Sequence, residues 1–171
     1  MNERIVIFSH GKDGEPRGSK IMAMAECART RGYRAESVDY RSIDDPTARM
    51  HTLLEFGRDF PGAVLVGSSL GGHVATAASV ALKARGLFLL APAFYMPGYE
   101  QYTPRPHACP ISIVHGWRDD IVPVANSIRY AGEHHATLQL IDADHRMLQH
   151  IRPIAAYFEL FLDQLERSEA T

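Results

Sequence analysis

A serine placed between glycines is the first stretch of the chain whose residue types could do chemistry. Residues 67–71 read Gly-Ser-Ser-Leu-Gly and match the G-x-S-x-G pattern, in which the middle serine, Ser69, sits on a tight strand-to-helix turn. Such a turn lifts the hydroxyl clear of the backbone, and the flanking glycines let the strand and the helix pass closely. We therefore predict that Ser69 is a nucleophile; the alternative is an ordinary turn of glycine and serine.

A serine hydroxyl is a weak nucleophile until a base removes its proton, so the chain must also supply a base. Among nine histidines, His145 combines a position downstream of Ser69 with a place directly after a predicted strand. A short loop at that point can carry its ring back over the serine. His145 is the predicted base, and a loop histidine without a chemical role is the alternative.

The histidine in turn needs a carboxylate that holds it in one tautomer, and two adjacent aspartates follow the fifth predicted strand. Adjacent side chains cannot both face the histidine, so Asp119 is the predicted acid and Asp120 is its competitor. The alternative for either aspartate is to cap a helix that opens at Pro123. The order serine, aspartate, histidine along the chain matches the order found with strand-to-helix serine turns.

Acyl chemistry at such a serine also needs donors for an oxyanion, each worth about 3 kcal/mol of barrier. The backbone N–H of Leu70, directly after the serine, is one predicted donor. The loop at residues 9–14, Ser-His-Gly-Lys-Asp-Gly, follows the first predicted strand and should supply the other. We predict the N–H of Lys12 for this role, with the N–H of Gly11 as the alternative.

An alternation of strands and helices has to position these residues. Short apolar runs predict six strands, at residues 4–9, 34–40, 63–67, 87–91, 111–115 and 137–142. Helical periodicity predicts five helices, at residues 19–31, 46–58, 71–84 and 123–134 and in a final stretch with Pro153 near its start. Several strands are apolar at every position, which is typical of a parallel sheet covered on both faces. The predicted fold class is α/β: one domain over residues 1–171, doubly wound around a predominantly parallel six-stranded sheet.

Composition and charge exclude several classes of partner. A net charge of −2 over 171 residues predicts no binding to nucleic acid or to membrane surfaces. No apolar run has transmembrane length, and the run of four near the N-terminus is too short for a secretion signal. Cys27 and Cys109 have no CxxC-type partner, so we expect free thiols and a cytoplasmic protein.

Metal ions and nucleotides are also disfavoured as ligands. Known metal sites space their histidine and cysteine ligands in characteristic ways, and we find no such spacing among His107, Cys109, His115 and His134–His135. No metal is therefore predicted. The glycine-containing stretch after the first predicted strand, residues 9–18, is neither G-x-G-x-x-G nor a Walker loop. A nucleotide-binding domain is therefore a minor alternative.

Three motifs give the chain a resemblance to a known family. The sequences SHG at 9–11, GSSLGG at 67–72 and HGWRDDIVP at 115–123 resemble the α/β-hydrolase superfamily, and the likeness extends over about residues 4–166. The chain is most similar to small bacterial members grouped with carboxylesterases and dienelactone hydrolases. The resemblance implies a Ser-His-Asp hydrolase of esters or related acyl bonds with no cofactor. Dienelactone hydrolases proper carry cysteine where this chain has Ser69.

Two departures from the family pattern imply a minimal α/β-hydrolase fold with a reduced lid. The first two strands of the family have no room before Arg4, which leaves six strands. The lid is reduced to residues 92–110, which contain five prolines and are too short for a helical cap. We expect an open, shallow site for small or extended acyl substrates. Its predicted lining is Phe94, Tyr95, Met96 and Trp117, and ordinary loop packing of these residues is the alternative.

The predicted function is a serine hydrolase that cleaves small ester or thioester substrates through an acyl-enzyme intermediate. An acyltransferase that uses the same three residues is one alternative, since the sequence does not distinguish water from an alcohol as the acceptor. A catalytically silent binding protein with the same fold is another. The presence of all three residue types at strand ends favours the enzyme.

Overall fold

The computed structural model describes residues 4–169, so residues 1–3 and 170–171 of the predicted domain lie outside it. Its strands are β1 (Ile5–Ser9), β2 (Arg34–Val38), β3 (Val64–Ser68), β4 (Gly86–Leu90), β5 (Ile111–Gly116) and β6 (Thr137–Ile141). Its helices are α1 (Ser19–Thr30), α2 (Pro46–Gly57), α3 (Leu70–Ser79), α4 (Val124–His134) and α5 (Ile151–Glu169). The strands form a parallel sheet in the order β2-β1-β3-β4-β5-β6, which confirms the predicted fold class.

Helices cover both faces of the sheet, and this explains the continuous apolar strands. Along β1, Ile5 and Ile7 pack in the core beneath α2, α3 and α4, whereas Val6 and Phe8 pack in the core beneath α1 and α5. Every residue of β1, β4 and β5 is buried, as strands with two covered faces require. The edge strands β2 and β6 are largely half-buried.

The helix after β3 is shorter than predicted. The sequence predicts a helix over residues 71–84, but α3 ends at Ser79. Lys83 adopts a left-handed conformation with φ of 50°, and the N–H of Ala84 donates to Ser79 O at 2.9 Å. This closure satisfies a terminal carbonyl of the helix and turns the chain toward β4 without a glycine.

The segment between β4 and β5 contains one 3₁₀ turn, Glu100–Tyr102, and no longer helix. This agrees with the expected reduction of the lid. Within residues 4–169 no helix combines the length and the apolar character needed to cross a membrane.

Candidate active site

Ser69 occupies a strained turn between β3 and α3. Its φ of 53° and ψ of −120° lie in a region that side-chain-bearing residues seldom adopt. A Cβ on Gly67 would lie 2.5 Å from Gly71 O, and a Cβ on Gly71 would lie 2.0 Å from Ser9 O. Both glycines of the G-x-S-x-G pattern are therefore required by close backbone contacts, and the turn presents the Ser69 side chain half-exposed.

Ser69, His145 and Asp119 form one line of polar contacts at the carboxyl edge of the sheet. His145 Nε2 lies 3.1 Å from Ser69 Oγ, and His145 Nδ1 lies 2.7 Å from Asp119 Oδ2. An ionised carboxylate can only accept, so Nδ1 carries the proton and the neutral ring offers Nε2 as the acceptor for the Ser69 hydroxyl. This tautomer is the one that can remove a proton from Ser69.

The Asp119 carboxylate is fully buried and hydrogen-bonded on both oxygens. Its Oδ1 accepts from the N–H groups of Ile121 at 2.9 Å and Val122 at 2.8 Å, while Oδ2 faces His145. Burial alone would raise the pKa of this carboxyl, but the hydrogen bonds from His145, Val122 and Ile121 outweigh burial and lower it. Asp120 is exposed, so the structure places Asp119 rather than Asp120 behind the histidine.

A second histidine, His115, which the sequence analysis considered only as a metal ligand, lies on the far side of Asp119. His115 is completely buried, and its Nε2 lies 2.9 Å from Asp119 Oδ2 and 3.0 Å from Val122 O. Both oxygens only accept, so Nε2 carries a proton, and Nδ1 accepts from the Ser127 hydroxyl at 2.7 Å. Burial lowers the pKa of His115, which keeps the ring neutral.

The loop that carries His145 is tied to its surroundings on both sides. Lys20 Nζ, at the start of α1, donates to Arg146 O at 2.8 Å. Asp144 Oδ1 accepts from the N–H of Met147 at 2.8 Å. Burial lowers the pKa of Lys20 to about 8, against an attraction to Asp144 that raises it. These contacts fix the direction from which the His145 ring approaches Ser69.

The peptide units before Leu70 and Lys12 are held by their carbonyl oxygens. Ser69 O accepts from the N–H groups of Gly72 and Ala93, both at 3.0 Å, and Gly11 O accepts from His10 Nδ1 at 2.8 Å. In a trans peptide the C=O and the following N–H point in opposite directions. The N–H groups of Leu70 and Lys12 therefore point away from these anchors.

His10 supports this loop from inside the protein. Its side chain is almost completely buried, its Nδ1 donates to Gly11 O, and its Nε2 accepts from the N–H of Tyr40 at 2.9 Å. Both ring nitrogens are therefore used, and burial lowers the pKa of His10. This leaves His10 without a free nitrogen for proton transfer.

The predicted pocket residues are not brought together. Phe94 was predicted to line an open site, but this is wrong: it is fully buried and stacks on Tyr130 with ring centroids 3.9 Å apart. The Tyr95 hydroxyl donates to Glu133 on α4. Met96 is half-buried, and Trp117, two residues before Asp119, has 56% of its surface exposed.

A cavity of about 520 Å³ lies elsewhere, between the loop before β5 and the end of α4. It is lined by Tyr95 and by residues such as Arg105, His107, Cys109 and His134, and neither Ser69 nor His145 contacts it. Ser69, His145 and Asp119 therefore lie outside this cavity. Among residues 4–169 no group of three or more His, Cys, Asp or Glu side chains is placed to hold a metal ion.

Comparison with known proteins defines the class. A family model described as "Alpha/beta hydrolase family" matches residues 7–167, which is nearly the whole chain. The chain therefore belongs to the alpha/beta hydrolase family, and the resemblance seen in its motifs is confirmed. No protein with a curated description matches it.

Solved structures agree with this assignment. A structure from Xanthomonas campestris pv. campestris, provisionally assigned as a hydrolase of the α/β superfamily, is 33% identical with a TM-score of 0.89, and the match covers 96% of this chain and 99% of that one. Est1E from Butyrivibrio proteoclasticus is 16% identical with a TM-score of 0.82 over 97% and 89% of the two chains. An α/β serine hydrolase without a lid, from Xanthomonas campestris, is 18% identical with a TM-score of 0.80 over 96% and 83%. The last two structures, at 16% and 18% identity, show that this chain has the same fold as they do.

Proposed function

We propose that the protein is a serine hydrolase that cleaves small esters or thioesters through an acyl-enzyme intermediate. The observation that carries the proposal is the line of contacts from Ser69 Oγ to His145 Nε2 at 3.1 Å and from His145 Nδ1 to Asp119 Oδ2 at 2.7 Å. Membership of the alpha/beta hydrolase family supports hydrolysis as the reaction class. Ser69 is the proposed nucleophile, His145 the base and Asp119 the acid.

The proposed reaction has two halves. In the first, Ser69 Oγ attacks the substrate carbonyl carbon while His145 Nε2 takes the hydroxyl proton. The N–H groups of Leu70 and Lys12 stabilise the resulting oxyanion. His145 then returns the proton to the leaving alcohol or thiol as its bond to the acyl carbon breaks. In the second half, water attacks the acyl-enzyme by the same proton transfers, which releases the acid and restores Ser69.

We propose an open substrate site. Of the four residues predicted to line it, Met96 and Trp117 are the two that we keep as substrate contacts. Trp117 supports this because its largely exposed ring follows β5 directly, on the same turn as Asp119. The short segment between β4 and β5 supports an acyl group in contact with solvent, since it has no helical cap within the described residues. Small or extended acyl groups fit such a site better than long buried chains.

Labelling with a fluorophosphonate probe tests the nucleophile. The wild-type protein should react at one serine, and Ser69→Ala should abolish labelling. Ser68→Ala is a matched control, because it removes the same hydroxyl one residue earlier and should label like the wild type. A folded wild-type protein that does not label, or a Ser69→Ala variant that still does, would refute the proposal.

A series of p-nitrophenyl esters and acyl thioesters of increasing chain length tests the substrate class. An open site should give kcat/KM values that change gradually with acyl length. A sharp optimum at a long acyl chain would instead indicate a deep acyl pocket and contradict the open site. Comparing the ester and the thioester at equal acyl length assigns the leaving group.

A further inference from the structure

Arg49 is a buried arginine next to the proposed active site, and no predicted role includes it. It lies on α2 with 1% of its surface exposed. Within residues 4–169 its guanidinium is hydrogen-bonded to carbonyl oxygens and not to a carboxylate. Burying a charged guanidinium without a carboxylate partner costs free energy, even when carbonyl oxygens accept its hydrogen bonds. We therefore ask what the bonds of Arg49 to these carbonyls do for the proposed active site.

The guanidinium of Arg49 bonds three consecutive carbonyls of the loop after β1. Its Nη1 donates to His10 O and to Gly11 O, both at 3.2 Å, and its Nη2 lies 3.4 Å from Lys12 O. Its Nε donates to Ile43 O at 2.6 Å. The planar fork of arginine, with five donors, suits several acceptors at once, which the compact charge of a lysine does not.

These bonds set the direction of the loop's N–H groups, together with the bonds to Gly11 O from His10 Nδ1 at 2.8 Å and from the Gly14 N–H at 3.2 Å. Because C=O and N–H are opposed across a trans peptide, drawing Gly11 O toward Arg49 turns the N–H of Lys12 away from it. The bond to His10 O does the same for the N–H of Gly11. Either candidate donor of the oxyanion hole is therefore oriented by the same side chain.

The loop at residues 10–12 lies directly against the turn that carries Ser69, the proposed nucleophile. A Cβ on Gly11 would lie 3.4 Å from Ser69 Cβ and 3.3 Å from Ser68 O. The close approach of Gly71 to Ser9 O and His10 O joins the two segments further. A change in the loop's peptide orientation therefore acts within a few ångströms of Ser69.

We propose that Arg49 is a positioning residue for the oxyanion hole, holding the loop at residues 10–12 so that its N–H groups face the reacting carbonyl oxygen. The proposal rests on the serine hydrolase function proposed above. The hydrogen bonds of Arg49 go to backbone carbonyls and not to Ser69, so its proposed action is through the peptide units of the loop.

The test compares Arg49→Met, Arg49→Lys and the control Arg58→Met, whose side chain follows α2 and is 71% exposed. Each protein is labelled to completion with the fluorophosphonate to count active sites, and kcat for p-nitrophenyl acetate is expressed per labelled site. Arg49→Met should lower kcat per site roughly 100-fold with little change in KM, the size expected for loss of one oxyanion donor. Arg49→Lys should lower it less, and Arg58→Met should match the wild type.

A second readout reports the oxyanion hole directly. A trifluoromethyl ketone forms a tetrahedral adduct with the serine, so its affinity should fall in parallel with kcat in both Arg49 variants. If Arg49 only stabilises the fold, the number of labelled sites will fall while kcat per site and inhibitor affinity stay at wild-type values, and the proposal is wrong. If Arg49→Met does not fold, kcat per labelled site and inhibitor affinity of Arg49→Lys provide the same test. Failure of the wild-type protein to label would instead overturn the proposed function.

Discussion

His115 Nε2 lies 2.9 Å from Asp119 Oδ2, the same carboxylate oxygen that faces His145 Nδ1. The side chains of His115 and Asp119 are both inaccessible to solvent. The proposed acid is thus held between two imidazole rings, one that it orients and one that is itself fixed by Ser127 and Val122. This contact gives the buried negative charge a neutral partner in addition to two backbone N–H groups.

Replacing His115 should weaken catalysis. His115→Leu removes a ring whose Nε2 lies 2.9 Å from the carboxylate, and we expect kcat/KM to fall roughly tenfold, which corresponds to about 1.4 kcal/mol of barrier. Ser127→Ala keeps the ring and should lower kcat/KM to a smaller extent. A loss that disappears when rates are expressed per fluorophosphonate-labelled site would indicate that His115 serves stability alone.

The two adjacent aspartates should differ strongly. Asp119→Asn removes the charge that stabilises the imidazolium and the acceptor that fixes the tautomer, so kcat should fall roughly 10⁴-fold. Asp120→Asn changes an exposed side chain next to it and should leave kcat within about twofold of the wild type. Steady-state kinetics on both variants measure the difference. Equal losses in the two variants would contradict the assignment of Asp119.

The amine of Lys20, which is half-buried, should make stability depend on alkaline pH. Its pKa is lowered from 10.5 to about 8 in the folded state, so between these values the unfolded chain binds more protons. The free energy of unfolding therefore rises with pH over this window, and the burial of the charged amine costs stability below it. Urea unfolding of the wild type and of Lys20→Met at pH 7 to 10.5 should show a stability difference that moves in favour of the wild type as pH rises. A difference independent of pH would refute this.

Two glycine-to-alanine changes should have opposite effects on stability. A Cβ on Gly71 would lie 2.0 Å from Ser9 O, so Gly71→Ala must displace the backbone at the turn that carries Ser69 and should greatly destabilise the fold. Gly132 lies on α4 with no atom within 4 Å of such a Cβ, and Gly132→Ala should stabilise the protein by about 0.5–1 kcal/mol. Thermal unfolding of the two variants measures both. Similar changes in the two midpoints would contradict the packing described at Gly71.

The positions of Ser69, Asp119 and His145 could be expected from the sequence because each follows a strand of a parallel sheet. Carboxyl ends of parallel strands share one edge, so strand assignment alone brings the three residues near one another. The choice of Asp119 over Asp120 depends on the turn that follows, where Oδ1 accepts two N–H groups. Sequence reasoning left that choice open because the turn's geometry is not written in a residue pattern.

Arg49, His115 and Lys20 could not be assigned in the same way. Arg49 and Lys20 act through contacts with distant segments: Arg49 with the loop 37–39 residues earlier, and Lys20 with Arg146 at a separation of 126 residues. The contacts of His115 are nearer along the chain but depend on the geometry of the turn after β5. The buried position of Arg49 on α2 contradicts the usual expectation for a charged residue, and only long-range packing reveals it. Phe94 was misassigned for the same reason, since its stacking partner Tyr130 lies on a later helix.

The segment between β4 and β5, which lacks a helical cap, affects which step can limit the rate of the proposed reaction. Because residues 4–169 place no helical cap between β4 and β5, we expect that no opening of such a cap limits the rate of the proposed reaction. Monomeric and micellar esters of the same acyl group should then be turned over at similar rates. Ser69 is half-exposed, so in the proposed reaction water should have access to the acyl-enzyme, and we expect hydrolysis to exceed transfer of the acyl group to a second alcohol.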